Sequence, residues 1–427
     1  MTAGLLAELR WRGMFHDATP GLDERLRSGP PIMGYNGFDP TGPSLHIGHL
    51  VPIFGLIRLQ RSGGRPIALV GGGTGMIGDP SGRSSERNLL DRETLAFNVA
   101  SIHAQLSRFL DFSPGICQAR MANNADWLEG LGLIDFLRDV GKHFSIPYML
   151  AKDSVQNRLE RGLSFTEFSY MLLQAADFAH LHRTWGCEMQ MGGADQWGNI
   201  TAGLELIRRT GAGEGEGHGR AFGLSYPLLL SPSGAKFGKT EGGDSVWLDP
   251  ARTTPYAFYQ HWLNVDDRDV GVYLRWFTLL PEAEILTLEA QGAERPEARV
   301  PQRALAFDIT GRVHGEETAR HLVRVSEAAF SREPIRDGAV LATLHEAVGG
   351  FTFDGVDLAG DVLAMTVRSG IFPSNGEARR TITQGGVTIN DLRMARFDEP
   401  VPTPIDGEWL VVRVGKKRLI IGRRSAG

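Results

Sequence analysis

The chain has 427 residues, 42% of them hydrophobic and 22% charged, with a formal charge of −5. That length exceeds one ordinary domain and implies two or three, each able to bury a core. Two cysteines without CxxC spacing, Cys117 and Cys187, argue against a disulfide framework or zinc site; no run of 18 apolar residues suggests a membrane span and no signal peptide opens the chain, so the expected compartment is the cytoplasm.

Residues 30 to 80 read as strand, loop, helix, strand, loop. Ile32 to Phe38 is a short apolar run, Asp39-Pro40-Thr41-Gly42-Pro43 is turn chemistry, and Leu45 to Leu59 carries helical periodicity. Pro66 to Val70 is a continuous apolar run ending in glycines, as in a buried parallel strand. Strands alternating with helices predict an α/β fold, a Rossmann-like doubly wound parallel sheet with ligands at the carboxyl ends of its strands.

Residues 94 to 180 read as mostly helical. The best-defined helix runs from Leu163 to Ala179 and is opened by Ser164 and Glu167, a capping box. Residues 211–219 form a glycine- and glutamate-rich loop, and 231–244 a second flexible stretch before a helical block at 251–330. Residues 331–350 look like a linker. From about 355 the pattern becomes a small α+β module: a helix at Leu358 to Gly370, another opened by Ser374 and Glu377, and short strands at Val387 to Asn390, Trp409 to Val414 and Arg418 to Ile421. The expected division is therefore 1–230 for the sheet domain with its helical insertion, 231–250 for a loop and linker, 251–330 for a helical domain, and 355–427 for the last module. From Val401 onward six basic residues (Arg413, Lys416, Lys417, Arg418, Arg423, Arg424) face only Asp406 and Glu408, which is either a partial RNA footprint or a solvated basic face.

Two glycine patterns are decoys. Gly73-Thr74-Gly75-Met76-Ile77-Gly78 matches a dinucleotide fingerprint, but Asp79-Pro80-Ser81-Gly82 follows where a helix N-terminus should meet pyrophosphate. Gly234 to Thr240 resembles a P-loop, yet only three residues separate its glycines where four are required.

The stronger signal is Leu45-His46-Ile47-Gly48-His49, opening a helix straight after a strand. His46 and His49 share a face in the first turn, where free amides and the positive dipole end favour a triphosphate. Gly48 lets a nucleotide lie close to the backbone. The alternative is a pair of capping or core histidines; a metal site lacks a third ligand at suitable spacing. Lys236-Phe237-Gly238-Lys239-Thr240 offers two lysines on a glycine-flanked loop that could close over phosphates, or an ordinary basic loop. On the helix beginning near Ser164, Tyr170, Gln174 and Asp177 fall at i, i+4 and i+7 among Phe165, Phe168, Met171, Leu172, Leu173 and Phe178. That polar stripe faces either solvent or a ligand, since an unpaired buried polar group costs about 1–3 kcal/mol.

Taken together, Tyr35-Asn36-Gly37-Phe38-Asp39-Pro40-Thr41, the HIGH motif at His46 to His49, Gly78 to Gly82, Phe165 to Tyr170, Gly192 to Asn199 and the KFGKT form of a KMSKS loop resemble the bacterial tyrosyl-tRNA synthetases, class I enzymes, over almost the whole chain. The resemblance implies activation of L-tyrosine with ATP and Mg2+ to an adenylate, then transfer to tRNA(Tyr). It implies that Tyr35 and Asp177 hold the substrate phenol, that Asp79, Tyr170 and Gln174 hold its ammonium, and that Gln196 lies near its carboxylate. Asp195 and Gly193 would take the ATP ribose, with Asp39 and Gly48 also at the nucleotide. Thr41, His46 and His49 would serve the leaving pyrophosphate, with Arg83, Arg87, Lys236 and Lys239 on loops, Lys239 also reaching ATP. Position 84 is Ser, where relatives often carry a basic residue. The module from about 355 is similar to the RNA-binding domain that ends these enzymes, making Arg379, Arg380, Lys416 and Lys417 candidate RNA contacts. A homodimer is implied, with Gly132 to Phe144 at its interface. Tryptophanyl-tRNA synthetases share the fold but need no Tyr35–Asp177 pair, since an indole offers only one donor. A catalytically silent RNA-binding relative is the alternative from another class.

Overall fold

The computed structural model describes the chain apart from residues 1–3, 82–89, 153, 154, 157, 158, 160, 161, 212–219, 230–244, 332, 416, 417, 426 and 427. The chain folds as two compact units, residues 1–253 with 265–305, and residues 254–264 with 306–427. The helical block expected at 251–330 is thus shared between them. Among the described residues no helix is long and apolar enough to cross a membrane.

The first unit is built on six strands: β1 (Asp17–Ala18), β2 (Met33–Phe38), β3 (Arg65–Val70), β4 (Arg120–Asn123), β5 (Met189–Gly193) and β6 (Phe222–Tyr226), in the order β1-β6-β5-β2-β3-β4. All neighbours run parallel except β1, an antiparallel edge. From β2 the chain winds one way through β3 and β4 and later returns on the other side through β5 and β6. The order therefore reverses between β2 and β5, where a doubly wound sheet opens a crevice. Met33, Tyr35, Ile67, Leu69 and Ala122 from the strands pack with Phe178, Leu181 and Ile207 from the helices Phe165–Trp185 and Trp197–Thr210.

The helix Phe165–Trp185 begins as expected, Ser164 Oγ accepting from the Glu167 amide at 3.2 Å, but runs six residues past Ala179 to a left-handed Gly186. The segment expected to be a helix from Leu45 starts as a 3₁₀ turn at Ile47–His49 and becomes α-helical only from Leu50 to Arg61. That helix is anchored by Arg58, whose buried guanidinium donates to the carbonyls of Arg275, Trp276 and Thr278 at the end of the helix Val270–Phe277. A cation there meets the negative end of the helix dipole. Reading 94–180 as mostly helical missed β4: four residues, Arg-Met-Ala-Asn, are too short and too mixed to show a strand period.

The second unit carries the sheet β7-β11-β10-β8-β9, formed by β7 (Phe351–Phe353), β8 (Val387–Ile389), β9 (Leu392–Arg393), β10 (Trp409–Val414) and β11 (Arg418–Arg424). The expected strands and the Ser374-capped helix Asn375–Thr383 are present. Two expectations fail. The single helix at Leu358 to Gly370 is two, Gly355–Ala359 and Val362–Arg368, each opened by its own aspartate cap, Asp354 and Asp361. The linker at 331–350 contains the helix Gly338–Ala347, capped by Asp337, whose Val340, Leu341 and Leu344 pack with Val325, Trp409, Val411 and Ile421.

Candidate active site

At the carboxyl ends of β2 and β5, where the strand order reverses, lies a cavity of ≈ 400 Å³. Its wall gathers every described residue expected at the small-molecule site: Tyr35, Asp39, Thr41, His46, Gly48, His49, Asp79, Tyr170, Gln174, Asp177, Gly193, Asp195 and Gln196. The polar stripe Tyr170–Gln174–Asp177 therefore faces this cavity and not solvent. Arg83, Arg87, Lys236, Lys239, Lys416 and Lys417 lie outside the described residues. Arg379 and Arg380 are exposed on the helix Asn375–Thr383 of the second unit, the Arg379 guanidinium lying over the Phe397 ring, 4.9 Å from its centroid.

One wall joins Tyr35 and Asp177. Tyr35 is 1% exposed, and its hydroxyl has no hydrogen-bond partner among the described residues. Burial, with the nearby Asp177 charge adding to it, raises the Tyr35 pKa well above its ordinary value. Asp177 accepts from Trp127 Nε1 on Oδ1 and from Asn124 Nδ2 on Oδ2, each at 2.8 Å. Burial raises its pKa to about 7 against the lowering effect of those two donors. Removed from solvent, such a pair can discriminate a hydroxyl-bearing ligand from one that lacks the group.

A second network holds Asp79. Gly78 sits at φ +89°, a left-handed turn that suits glycine and delivers Asp79 to the cavity. Asp79 Oδ1 accepts from the Ser81 amide (2.8 Å) and Oδ2 from Gln196 Nε2 (2.7 Å). Gln196 Oε1 in turn accepts from Asn199 Nδ2 at 3.1 Å and from Gln174 Nε2 at 3.3 Å. The carboxylate is thereby fixed by donors from two separate parts of the chain, and Gln196 is itself held by Asn199 and Gln174.

A third chain runs through Asp39, at the end of β2. Tyr170 donates its hydroxyl to Asp39 Oδ2 at 2.9 Å and Thr74 donates to Oδ1 at 3.0 Å. Asn124 Nδ2 reaches Thr74 Oγ1 at 3.0 Å, so the Asp39 and Asp177 networks share one asparagine. A side chain at Gly71 would overlap both Asp39 Oδ1 and Thr74 Oγ1. Tyr170 has its pKa raised by burial first, then by Asp39 and Asp79.

The two histidines are indeed capping residues, and they line the cavity as well. His46 Nδ1 accepts from the Gly48 amide and His49 Nδ1 from the His46 amide, both at 3.1 Å. With Nδ1 accepting, each neutral ring carries its proton on Nε2. The rings lie 4.0 Å apart between centroids.

Sequence reasoning missed Asn124, Trp127, Thr74 and Gln190. Gln190 pairs in register with Tyr35, lines the same cavity and is buried with an Oε1 that has no partner among the described residues. Asn124 and Trp127 follow the overlooked β4, so no strand end had pointed to them. Thr74 fell inside the discarded dinucleotide pattern.

Residues 27–331 match the family model described as class I tRNA synthetases (W and Y), and 353–421 match the tyrosine--tRNA ligase SYY-like C-terminal domain. The chain is 51% identical over 421 residues to a tyrosine--tRNA ligase of Roseiflexus castenholzii, covering 97% of each chain. It is 49% identical over 424 residues to one of Geobacillus stearothermophilus, covering 98% of this chain and 99% of that one. Among solved structures, a C-terminally truncated mitochondrial tyrosyl-tRNA synthetase of Aspergillus nidulans superposes with a TM-score of 0.69 at 30% identity, over 77% of this chain and 94% of that one. The chain belongs to the class I tRNA synthetases, in the tyrosine--tRNA ligase family.

Proposed function

We propose that this protein is a tyrosine--tRNA ligase that activates L-tyrosine with ATP and transfers it to tRNA(Tyr) in the cytoplasm. The observation that carries the reading is the buried Tyr35 hydroxyl, without a partner among the described residues, facing the same cavity as the doubly anchored Asp177 carboxylate. A substrate phenol donates to Asp177 and accepts from Tyr35, satisfying both. Phenylalanine would leave the Tyr35 hydroxyl without a partner and Asp177 without the phenol's proton, and this enzyme family is itself the standard example of that discrimination.

In this reading Asp79, Tyr170 and Gln174 receive the ammonium. Tyr170 spends its proton on Asp39 and keeps oxygen lone pairs for a cation. Gln196 lies near the carboxylate, Asp195 and Gly193 bind the ribose, and Asp39 and Gly48 meet the nucleotide. The tyrosine carboxylate, already ionised, attacks the α-phosphorus in line while the bond to the bridging oxygen of pyrophosphate breaks. No general base is required, so rate comes from positioning and from stabilising the charge that moves onto pyrophosphate. Thr41, with His46 and His49 through their Nε2 protons, would supply that stabilisation, joined by Arg83, Arg87, Lys236 and Lys239. The terminal adenosine hydroxyl of tRNA then attacks the acyl carbonyl and AMP leaves. Mg2+ would travel with the triphosphate: among the described residues no group of three or more His, Cys, Asp or Glu is arranged to hold a metal.

The second unit, with Arg379, Arg380, Lys416 and Lys417, would bind tRNA. The helix Leu133–Asp139 leaves Leu133 71% and Ile134 72% exposed, an apolar face suited to a homodimer. Light scattering at micromolar concentration should give the dimer mass; a monomer would count against it. For the function itself, folded protein should support tyrosine-dependent ATP–pyrophosphate exchange and charge tRNA(Tyr) with tyrosine. Binding of tRNA without any exchange would replace the enzyme with a silent relative.

A further inference from the structure

The HIGH segment is laced to a stretch of chain that none of the roles above uses. Ile47 donates its amide to Val246 O at 2.9 Å, Leu248 donates to Leu45 O at 2.8 Å, and Asp249 donates to Ser44 Oγ at 3.2 Å. Between these rungs His46 and Trp247 form an isolated antiparallel bridge. Their rings meet edge to face, 6.0 Å between centroids and 70° between planes.

Trp247 is held on its own account. Its amide donates to Thr253 Oγ1 at 3.0 Å, and the Arg252 guanidinium lies over its ring at 5.3 Å. His49 flanks His46 on another side, 4.0 Å away at 42°. The Gly48 amide on Nδ1 selects the tautomer of His46. An edge-to-face aromatic neighbour on a hydrogen-bonded strand adds a contact that restricts rotation of the ring.

We propose that Trp247 is a positioning residue for His46, fixing the ring so that its Nε2 proton points at the leaving pyrophosphate. The proposal rests on the role given to His46 above. Trp247 touches no reacting atom. It narrows the orientations open to the His46 ring, and a displacement of about 1 Å in such a group can cost roughly a hundredfold in rate.

The test is a double-mutant cycle on ATP–pyrophosphate exchange with the full chain, using W247A, W247F, H46A and H46A/W247A. His46→Ala alone should lower kcat; if it does not, the role of His46 falls and the proposal with it. Given that loss, W247A should lower kcat about tenfold or more with the tyrosine KM within twofold, W247F should recover most of it, and W247A should add less than twofold in the H46A background. Tyrosine KM and the thermal midpoint serve as controls, because a merely structural tryptophan would move them alike in both backgrounds. An undiminished effect of W247A on top of H46A would overturn the proposal, as would a W247F variant that folds and binds tyrosine normally yet is as slow as W247A.

Discussion

Trp127 donates its indole N–H to Asp177 Oδ1 at 2.8 Å, and the same indole lies flat on His180, 4.4 Å between centroids and 11° between planes. The carboxylate proposed to read the substrate phenol is therefore aimed by a ring clamped outside the cavity. Replacing Trp127 with Phe preserves the stack and removes the donor. Asp177 should then be harder to ionise, and tyrosine affinity should fall about tenfold, in line with roughly 1–3 kcal/mol for a lost hydrogen bond to a buried charged group. Asn124→Ala should act in the same direction. Equilibrium dialysis with tyrosine checks both, and unchanged affinity in each would show that the anchors are dispensable.

The position of Asp177 on the pH scale gives a second prediction. Burial raises its pKa to about 7, so the free protein holds it partly protonated near neutrality. A phenol that donates to the carboxylate favours the ionised form, so tyrosine binding should expel a proton. Affinity should weaken as pH falls through about 7 and level off above it. The sign for stability is opposite: because the folded pKa is raised, the contribution of Asp177 to stability is fully present below the ordinary carboxylate range and is lost as pH rises through about 7. Calorimetric titration in buffers of different ionisation enthalpy counts the released proton, and Asp177→Asn should abolish the release.

Gly71→Ala tests the Asp39 chain. The new methyl would overlap Asp39 Oδ1 and Thr74 Oγ1 and break the hydrogen bonds that tie Asp39 to Thr74 and Tyr170. The ATP KM should rise several-fold, by the order of one hydrogen bond. Steady-state exchange at varied ATP measures it, and a variant with normal ATP and tyrosine KM would remove Asp39 from the site.

Removing residues 355–427 looks from sequence like a clean way to separate adenylate formation from tRNA charging. The structure advises against it, because Trp409, Val411 and Ile421 share a core with Val325, Val340 and Leu344. Point changes at the surface are cleaner. R379A/R380A should leave exchange unchanged and raise the tRNA KM, with weaker dependence on salt as two phosphate contacts are lost. Equal loss of exchange and charging would mean that these arginines support the fold.

How much could be read beforehand follows from the length over which each signal acts. The HIGH turn and the Tyr170–Gln174–Asp177 stripe were legible because each lies within one short segment, whereas Tyr35 entered only through the family resemblance. The partners that orient Asp177 were not: Asn124 reaches it across 53 residues and Trp127 across 50. Gly338–Ala347 passed for a linker because it is short and closed in by glycines and a polar, proline-containing stretch. Its burial depends on Trp409 and Ile421, far along the chain.

The most direct measurement is ATP–pyrophosphate exchange with tyrosine, phenylalanine and tryptophan on wild type and Asp177→Ala. Exchange with tyrosine alone, lost or made less selective in the variant, is the result expected if Tyr35 and Asp177 read the phenol. Equal exchange with phenylalanine in wild type, or full preference for tyrosine retained by Asp177→Ala, would contradict it.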